Sequence, residues 1–280
     1  MSIIKGALYI VATPIGNLED LSSRAKMVLG NVDLIVAEDT RHSKPMLNQF
    51  GIETKVRAYH DHNERSQTPI LIEQLQAGMS IALISDAGTP LICDPGYHLL
   101  LAAHAEKLKV IPIPGPSALI SALSVAGFSS EKFIFEGYLP TRQTARQQRM
   151  QQLKNETRTL VFYEAPHRIL ASIEDAIICY GSERQAVIAK EITKRHENIQ
   201  RGTLAGLLDW LRSDKDLSKG EFVVLIQGDK TSQFDTQEAS RILKILFVDH
   251  SVKESARLTS EIMQGNRNDV YKLAMDLKGS

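Results

Sequence analysis

Apolar runs that end in glycine- or proline-bent loops constrain the fold of this chain more than any other feature. The clearest example is Ile81-Ala82-Leu83-Ile84, which leads directly into the loop from Ser85 to Gly96. A short unbroken apolar run, closed by small, acidic and helix-breaking residues, predicts a buried parallel strand followed by a loop. Open α/β sheets bind ligands at the carboxyl ends of their strands, so this loop is a candidate binding site.

Three other segments have the same form of a strand followed by a glycine- or proline-containing turn. They are residues 8–12 before the turn at 13–17, residues 110–113 before 114–118, and residues 160–163 before 164–168. One such loop alone is most often only a tight turn between a strand and a helix. Four of them on separate strands predict one shared crevice.

The spacing of apolar residues predicts alternating strands and helices up to residue 126. The predicted strands are 8–12, 32–37, 55–59, 81–84 and 110–113. The predicted helices are 21–29 with Asp20 as N-cap, a short helix ending at 50, and 65–77, 97–107 and 117–126. This alternation predicts a mostly parallel sheet with helices on both faces.

Strands follow one another more closely after residue 131, which predicts a second α/β domain with a mixed or antiparallel sheet. The predicted strands there are 132–136, 160–163, 186–191, 197–203 and 221–227, with helices at 167–180 and 204–211. Helices at 238–248, 252–263 and 270–277 then predict a small helix-turn-helix shape. We expect three domains, at residues 1–116, 117–229 and 230–280.

The balance of charge and the cysteine content restrict the class of protein. The 280 residues include 33 basic and 33 acidic side chains, so no overall field attracts the chain to nucleic acid or membrane. Two cysteines are too few for a disulfide framework, and no signal peptide or membrane-spanning run is apparent. We expect a cytoplasmic protein that meets any polyanion through a local patch.

Two polar clusters follow the predicted strands near residues 37 and 59. They are Glu38 to His42 and His60 to Glu64. Histidines and carboxylates are metal ligands, but no third ligand follows at a recognisable spacing, and we predict no metal. A solvated loop is a second interpretation. We favour a lip of the crevice that faces the substrate, because both clusters lie at the carboxyl edge of the sheet.

The segment from Thr141 to Arg158 is the most basic part of the chain, with five basic residues and the single acid Glu156. A charge run is usually the solvated face of a helix. The excess of positive charge and the scarcity of aliphatic residues instead favour contact with phosphates, through Arg142, Arg146 and Arg149.

Several motifs resemble the ribosomal RNA small-subunit methyltransferase I branch of the tetrapyrrole methylase superfamily. They are residues 8–18, Ala37 to His42, Ser85 to Gly96, Pro114 to Ala118, Phe135 to Pro140 and Lys219 to Glu221. The resemblance covers essentially the whole chain. It implies two α/β domains of the class III methyltransferase type with a helical C-terminal appendage. It also implies a homodimer that binds S-adenosylmethionine between the domains and methylates the ribose of a 16S ribosomal RNA cytidine in the small subunit.

The family's cofactor contacts, carried over by motif, would be Pro14, Asp86, Gly88, Thr89, Ser117, Ala118 and Tyr163. A ribose hydroxyl must lose its proton, and the lip of the crevice offers Asp39, His60 and Asp61 as acceptors, with Arg41 placed to steer a phosphate. The sequence does not rank these three. Two alternatives stay open: a methyltransferase acting on a tetrapyrrole-like small molecule, and a non-catalytic RNA-binding factor of ribosome assembly.

Overall fold

A computed structural model describes residues 3–229, 236–263 and 265–279. The first sheet contains five strands: β1 (Ala7–Val11), β2 (Leu34–Ala37), β3 (Val56–Ala58), β4 (Ile81–Ile84) and β5 (Lys109–Ile113). Their order is β3-β2-β4-β1-β5, and every neighbouring pair is parallel. The prediction of a parallel first sheet is confirmed.

Helices cover both faces of this sheet, as predicted. They are α1 (Ser23–Leu29), α2 (Thr40–Gln49), α3 (Glu64–Gln76) and α4 (Tyr97–Ala105). Successive side chains of a strand point to opposite faces, so Tyr9 packs in the core that contains Leu29 of α1, while Leu8 packs with Leu75 of α3 and Leu99 of α4.

The predicted N-cap of α1 is wrong. Ser22 caps this helix, because its hydroxyl accepts a hydrogen bond from Ala25 N–H at 3.0 Å. Asp20 ends a short 3₁₀ turn (Leu18–Asp20) that lies before the cap. A side chain caps a helix only from the position whose oxygen reaches the second or third helical N–H.

The second sheet contains β6 (Phe133–Tyr138), β7 (Thr159–Glu164), β8 (Gln185–Lys190), β9 (Asn198–Thr203) and β10 (Phe222–Ile226). Its order is β6-β7-β10-β8-β9; only β6 and β7 are parallel. The predicted mixed sheet is confirmed. Helix α5 (Ala118–Val125) packs on one face, whereas α6 (Gln143–Gln152), α7 (Ile169–Tyr180) and α8 (Leu204–Ser213) pack on the other.

Three helices follow the second sheet: α9 (Thr236–Leu246), α10 (Val252–Ile262) and α11 (Arg267–Gly279). Leu243, Ala256, Val270 and Ala274 form their small buried core. The three predicted C-terminal helices are confirmed, but the predicted domain boundary at residue 230 lies outside the described residues. Within the described ranges, no helix is long and apolar enough to cross a membrane.

A cleft between the two sheets as candidate active site

A cleft of about 220 Å³ lies between the loops of the first sheet and the face of the second sheet that α5 covers. Strand β1 lies between β4 and β5, so the loops after these three strands meet at one edge. The lining residues are Ile15, Asp86, Ala87, Gly88, Thr89, Ile92, Cys93, Asp94, Ser117, Ala118, Tyr138, Tyr163, Ala189, Ile192, Lys194, Glu221, Phe222 and Val223.

Hydrogen bonds join the three loops of the first sheet into one wall. Thr13 N–H donates to Gly88 O at 2.9 Å, and Gly88 N–H donates back to Thr13 O at 3.0 Å. The Thr89 hydroxyl donates to Pro116 O at 3.0 Å. The loop after β4 is therefore fixed to the loops after β1 and β5.

Unusual backbone conformations occur in both walls. Leu91 and Cys93 have φ values of 75° and 67°, and Glu191 and Thr193 in the opposite wall have φ values of 50° and 66°. Residues other than glycine rarely adopt positive φ, and such strain concentrates at binding and catalytic sites. Both loops therefore hold strained backbone beside the cleft.

Six of the seven residues predicted to contact the cofactor line this cleft: Asp86, Gly88, Thr89, Ser117, Ala118 and Tyr163. Pro14 does not, although its neighbour Ile15 does. Gly88 has φ +81°, and a Cβ atom there would lie 3.1 Å from the Ile15 side chain. The loop can therefore present its backbone to a ligand at close range.

The first turn of α5 opens towards the cleft. Ser117 is its N-cap but makes no capping hydrogen bond with its side chain. Leu119 N–H donates to the Tyr163 hydroxyl at 3.2 Å, and burial raises the pKa of Tyr163 to about 12. The N-terminus of a helix attracts negative charge through its free N–H groups, so this end of the cleft suits a carboxylate.

The three residues predicted as proton acceptors do not line the cleft. His60 and Asp61 follow β3, which is the edge strand of the first sheet, with β2 between it and β4. Asp39 is the N-cap of α2, and its carboxylate accepts three side-chain hydrogen bonds from Arg41 at 2.7–3.2 Å, which lower its pKa to about 2. A carboxylate with so low a pKa is a weak base.

Two carboxyl groups that the sequence analysis did not nominate have raised pKa values. Asp94 lines the cleft; burial raises its pKa to about 6 against an opposing hydrogen bond from Ser85, and the charge of Asp86 adds to the rise. Burial, and then the charges of Asp86 and Asp94, likewise raise the pKa of Glu38 to about 6. Both residues lie in motifs that carried the resemblance, but sequence alone does not reveal burial.

An ion-pair network forms the wall that the second sheet contributes. Lys194 Nζ contacts Glu191 at 2.8 Å and Glu221 at 2.7 Å, and Glu221 N–H donates to the Glu191 carboxylate at 2.9 Å. Gly220 has φ +91°, and a Cβ atom there would lie 2.6 Å from the Glu191 side chain. These contacts explain Gly220 and Glu221 of the Lys219-Gly220-Glu221 motif, whereas no motif indicated Lys194.

The predicted phosphate contacts require correction. Arg146 is buried, and its guanidinium contacts the fully buried Asp175 at 2.6 Å, so it is not available to a phosphate. Arg149 donates two hydrogen bonds to Glu136, at 2.7 and 2.8 Å. Arg142 remains exposed at the N-cap of α6. Arg41 is also exposed and is paired with Asp39.

Residues that could hold a metal ion do not cluster in the part of the chain that the structure describes. No group of three or more His, Cys, Asp or Glu side chains is close enough together there. The His60 and His62 rings do pack edge to face, with centroids 5.9 Å apart.

The fold is that of a tetrapyrrole methylase. The family model "Tetrapyrrole (Corrin/Porphyrin) Methylases" matches residues 7–208. Solved structures with this fold include a cobalt precorrin-4 methyltransferase (TM-score 0.59, 14% identity, 79% of this chain and 95% of that chain) and a diphthine synthase (TM-score 0.60, 16% identity, 79% and 90%). At these identities the likeness concerns the fold alone.

Sequence relatives define the family more narrowly. The "RsmI C-terminal HTH domain" model matches residues 234–278. Proteins named "Ribosomal RNA small subunit methyltransferase I" are 48% identical in Pseudomonas aeruginosa, over 98% of both chains, and 46% identical in Vibrio cholerae, over 97% of this chain and 95% of that protein. The chain belongs to the ribosomal RNA small subunit methyltransferase I family.

Proposed function

We propose that this protein transfers the methyl group of S-adenosylmethionine to the ribose 2′-hydroxyl of a cytidine in the decoding region of 16S ribosomal RNA. The observation that carries the proposal is the cleft: six residues that the family resemblance assigns to the cofactor line one cavity between two α/β sheets. Family membership and the names of the relatives support ribosomal RNA as the substrate.

The residues of the cleft fit this cofactor by their chemistry. The missing side chain at Gly88 leaves room for a ligand to approach the loop, and the N-terminus of α5 favours a carboxylate such as that of the methionine moiety. Tyr138 and Tyr163 contribute aromatic rings that lie edge to face, 5.7 Å apart. When bound, S-adenosylmethionine supplies a methyl group already activated by the positive sulfur.

The protein then has two tasks, to hold the ribose hydroxyl in line with the methyl group and to accept its proton. We propose Asp94 as the acceptor, because its carboxylate lines the cleft and has the higher basicity that burial confers. We propose that Asp39, His60 and Asp61 contact RNA near the cleft and do not accept the proton. Asp39 N–H donates to the Asp86 carboxylate at 3.0 Å, which connects this lip to the loop after β4.

The two alternatives are less well supported. A methyltransferase of tetrapyrrole-like molecules has no need of the three C-terminal helices, which match a domain found in the ribosomal RNA branch. A non-catalytic assembly factor would be expected to have lost the cofactor loop, and here residues 85–96 form the wall of an open cleft.

A methyl-transfer assay tests the proposed function. Purified protein is incubated with S-adenosylmethionine labelled in its methyl group, together with small ribosomal subunits or with a tetrapyrrole carboxylic acid. We expect label in the RNA and, after digestion to nucleosides, in 2′-O-methylcytidine. Label in the tetrapyrrole would favour the alternative enzyme, and no label in either would favour the assembly factor.

We also propose a cytoplasmic homodimer, for which light scattering should give twice the 31.1 kDa chain mass.

A further inference from the structure

A second and larger cavity, of about 620 Å³, lies beside the candidate active site. The loop between β8 and β9 and the loop between α8 and β10 enclose it, and its basic lining residues are Lys190, Arg195, His196 and Lys219. Side chains alternate along a strand, so Ala189 lines the cleft while the next residue, Lys190, lines this cavity from the other face of the sheet. The two cavities therefore share β8 as a wall.

Lys190 is the unusual group in this cavity. Its exposed fraction is 7%, and its ammonium group donates to the backbone carbonyl of Asp216 at 2.6 Å. In the described part of the chain, the carboxylates of Glu191 and Asp216 interact with this charge, but neither forms an ion pair with Lys190 within 4 Å. A buried charge normally requires a paired opposite charge, since desolvation is otherwise costly. An anion entering the cavity would supply that partner.

Arg195 adds a second cation at the cavity. It is exposed, and the described residues give it neither an ion pair nor a hydrogen bond. The three lining carboxylates already have partners: Glu191 contacts Lys194, Asp216 contacts Lys219 at 2.7 Å, and Glu197 accepts a hydrogen bond from Thr193 N–H at 2.6 Å. Among the described lining residues, Lys190 and Arg195 are thus cations without an ion pair and remain available to a ligand.

We propose that this cavity binds a backbone phosphate of the RNA substrate through Lys190 and Arg195. The proposal rests on the proposed function for the identity of the RNA, and it transfers the predicted phosphate contact from α6 to the loop after β8. On α6, Arg146 and Arg149 are neutralised by Asp175 and Glu136. In the described part of the chain, Lys190 and Arg195 of this cavity form no such ion pair. A phosphate held here would anchor the RNA strand on the side of β8 opposite the cleft.

Binding to purified small subunits, measured at several monovalent salt concentrations, tests the proposal. The variants are Arg195→Gln and Lys190→Met, which keeps the packed stem of the side chain, with Arg24→Gln on α1 as the charge-matched control. Each cavity variant removes a charge-assisted contact to phosphate, so its apparent affinity for the subunits should fall about tenfold. The log–log salt slope should become shallower by about 0.7–0.9. Arg24→Gln should bind as the parent does.

Two further measurements separate this proposal from the proposed function. Calorimetry should give each variant the parent's affinity for S-adenosylmethionine; a loss there would mean that the cavity residues only support the cleft, and would overturn the proposal. An oligouridylate and inorganic phosphate are then titrated separately. Weaker binding of oligouridylate to Arg195→Gln supports the site even if the parent fails to methylate subunits. Equal binding of oligouridylate by Arg195→Gln and the parent contradicts the proposal. The proposal is also contradicted if the parent binds inorganic phosphate as tightly as oligouridylate at matched phosphate concentration.

Discussion

Gly88 combines a left-handed backbone with a close approach to the ligand cavity, so replacing it tests the cofactor site at the scale of one residue. Gly88→Val should abolish measurable binding of S-adenosylmethionine in calorimetry while the fold persists, because the side chain would meet Ile15 and enter the cleft. The control is Gly51→Val: Gly51 also has positive φ, +67°, but nothing lies within 4 Å of its Cβ position.

Both glycine variants lose on the order of 1–2 kcal/mol of folding stability, since an L-residue is strained at positive φ. Only Gly88→Val should lose the cofactor. Parent affinity in Gly88→Val would show that the ligand site lies elsewhere.

The raised pKa of Asp94 predicts how the reaction rate depends on pH. If its carboxylate accepts the proton, the rate constant for methyl transfer should rise with pH through about 6, where Asp94 loses its own proton. Asp94→Asn should lower the rate constant by about 10²–10⁴-fold and flatten that rise. Asp39→Asn, whose carboxyl has a pKa of about 2, should leave the inflection near pH 6 in place. An unchanged profile in Asp94→Asn would eliminate Asp94 as the acceptor.

The raised pKa of Asp94 also affects stability. As the pH rises through about 6, the rate constant should increase whereas the contribution of Asp94 to stability is lost. The pKa of Asp94 is higher in the folded chain than its ordinary value of 3.8, so folding favours the protonated form. Its contribution to stability is complete below about pH 4 and is lost as the pH rises through about 6. In the partly solvated cleft, Asp94→Asn should therefore raise the free energy of unfolding at pH 8 by about 1 kcal/mol, and should have little effect at pH 4.

At this scale, the sequence indicated that the loops after β1, β4 and β5 meet at one cleft but did not indicate which carboxylate is buried. Asp39 and Asp94 are both acidic residues at the carboxyl end of a strand. Their pKa values of about 2 and about 6 differ because Asp39 faces Arg41 in solvent, whereas Asp94 faces the cleft. Only the tertiary structure determines these surroundings.

At the scale of the element, α6 shows how pairing decides the role of a basic helix. Arg146 lies opposite Asp175 of α7, and both side chains are buried. Arg146→Glu would place two carboxylates together there, so we expect a loss of about 3–5 kcal/mol in a urea unfolding measurement. The exposed Arg142→Glu should change stability by less than about 0.5 kcal/mol. A folded, equally stable Arg146→Glu variant would contradict the buried ion pair.

The order of helices and strands could be predicted because apolar periodicity and glycine or proline stops are local signals. The role of α6 could not, because its neutralising partners, Glu136 and Asp175, come from β6 and α7. The N-cap of α1 depended on which of two nearby polar residues, Asp20 or Ser22, reaches the first turn, and these lie only two residues apart.

At the scale of the whole molecule, zero net charge makes a prediction about the substrate. A chain without a broad basic field holds extended RNA weakly at physiological salt, so a folded subunit that presents phosphates in fixed positions should be the better substrate. Methyl transfer should be at least about tenfold faster on purified small subunits than on extracted 16S RNA. Equal rates on both would remove the argument from net charge.

Mapping the methyl group on the RNA shows whether the protein methylates the ribose of a cytidine in 16S RNA. Small subunits from a strain that lacks this protein are incubated with S-adenosylmethionine and either the parent protein or Gly88→Val, and the 16S RNA is then analysed by mass spectrometry of nuclease fragments. We predict one added methyl group, on the ribose of one cytidine in the decoding region, with the parent protein alone. A methyl group on a base or at another site, or the same product with Gly88→Val, would contradict the account.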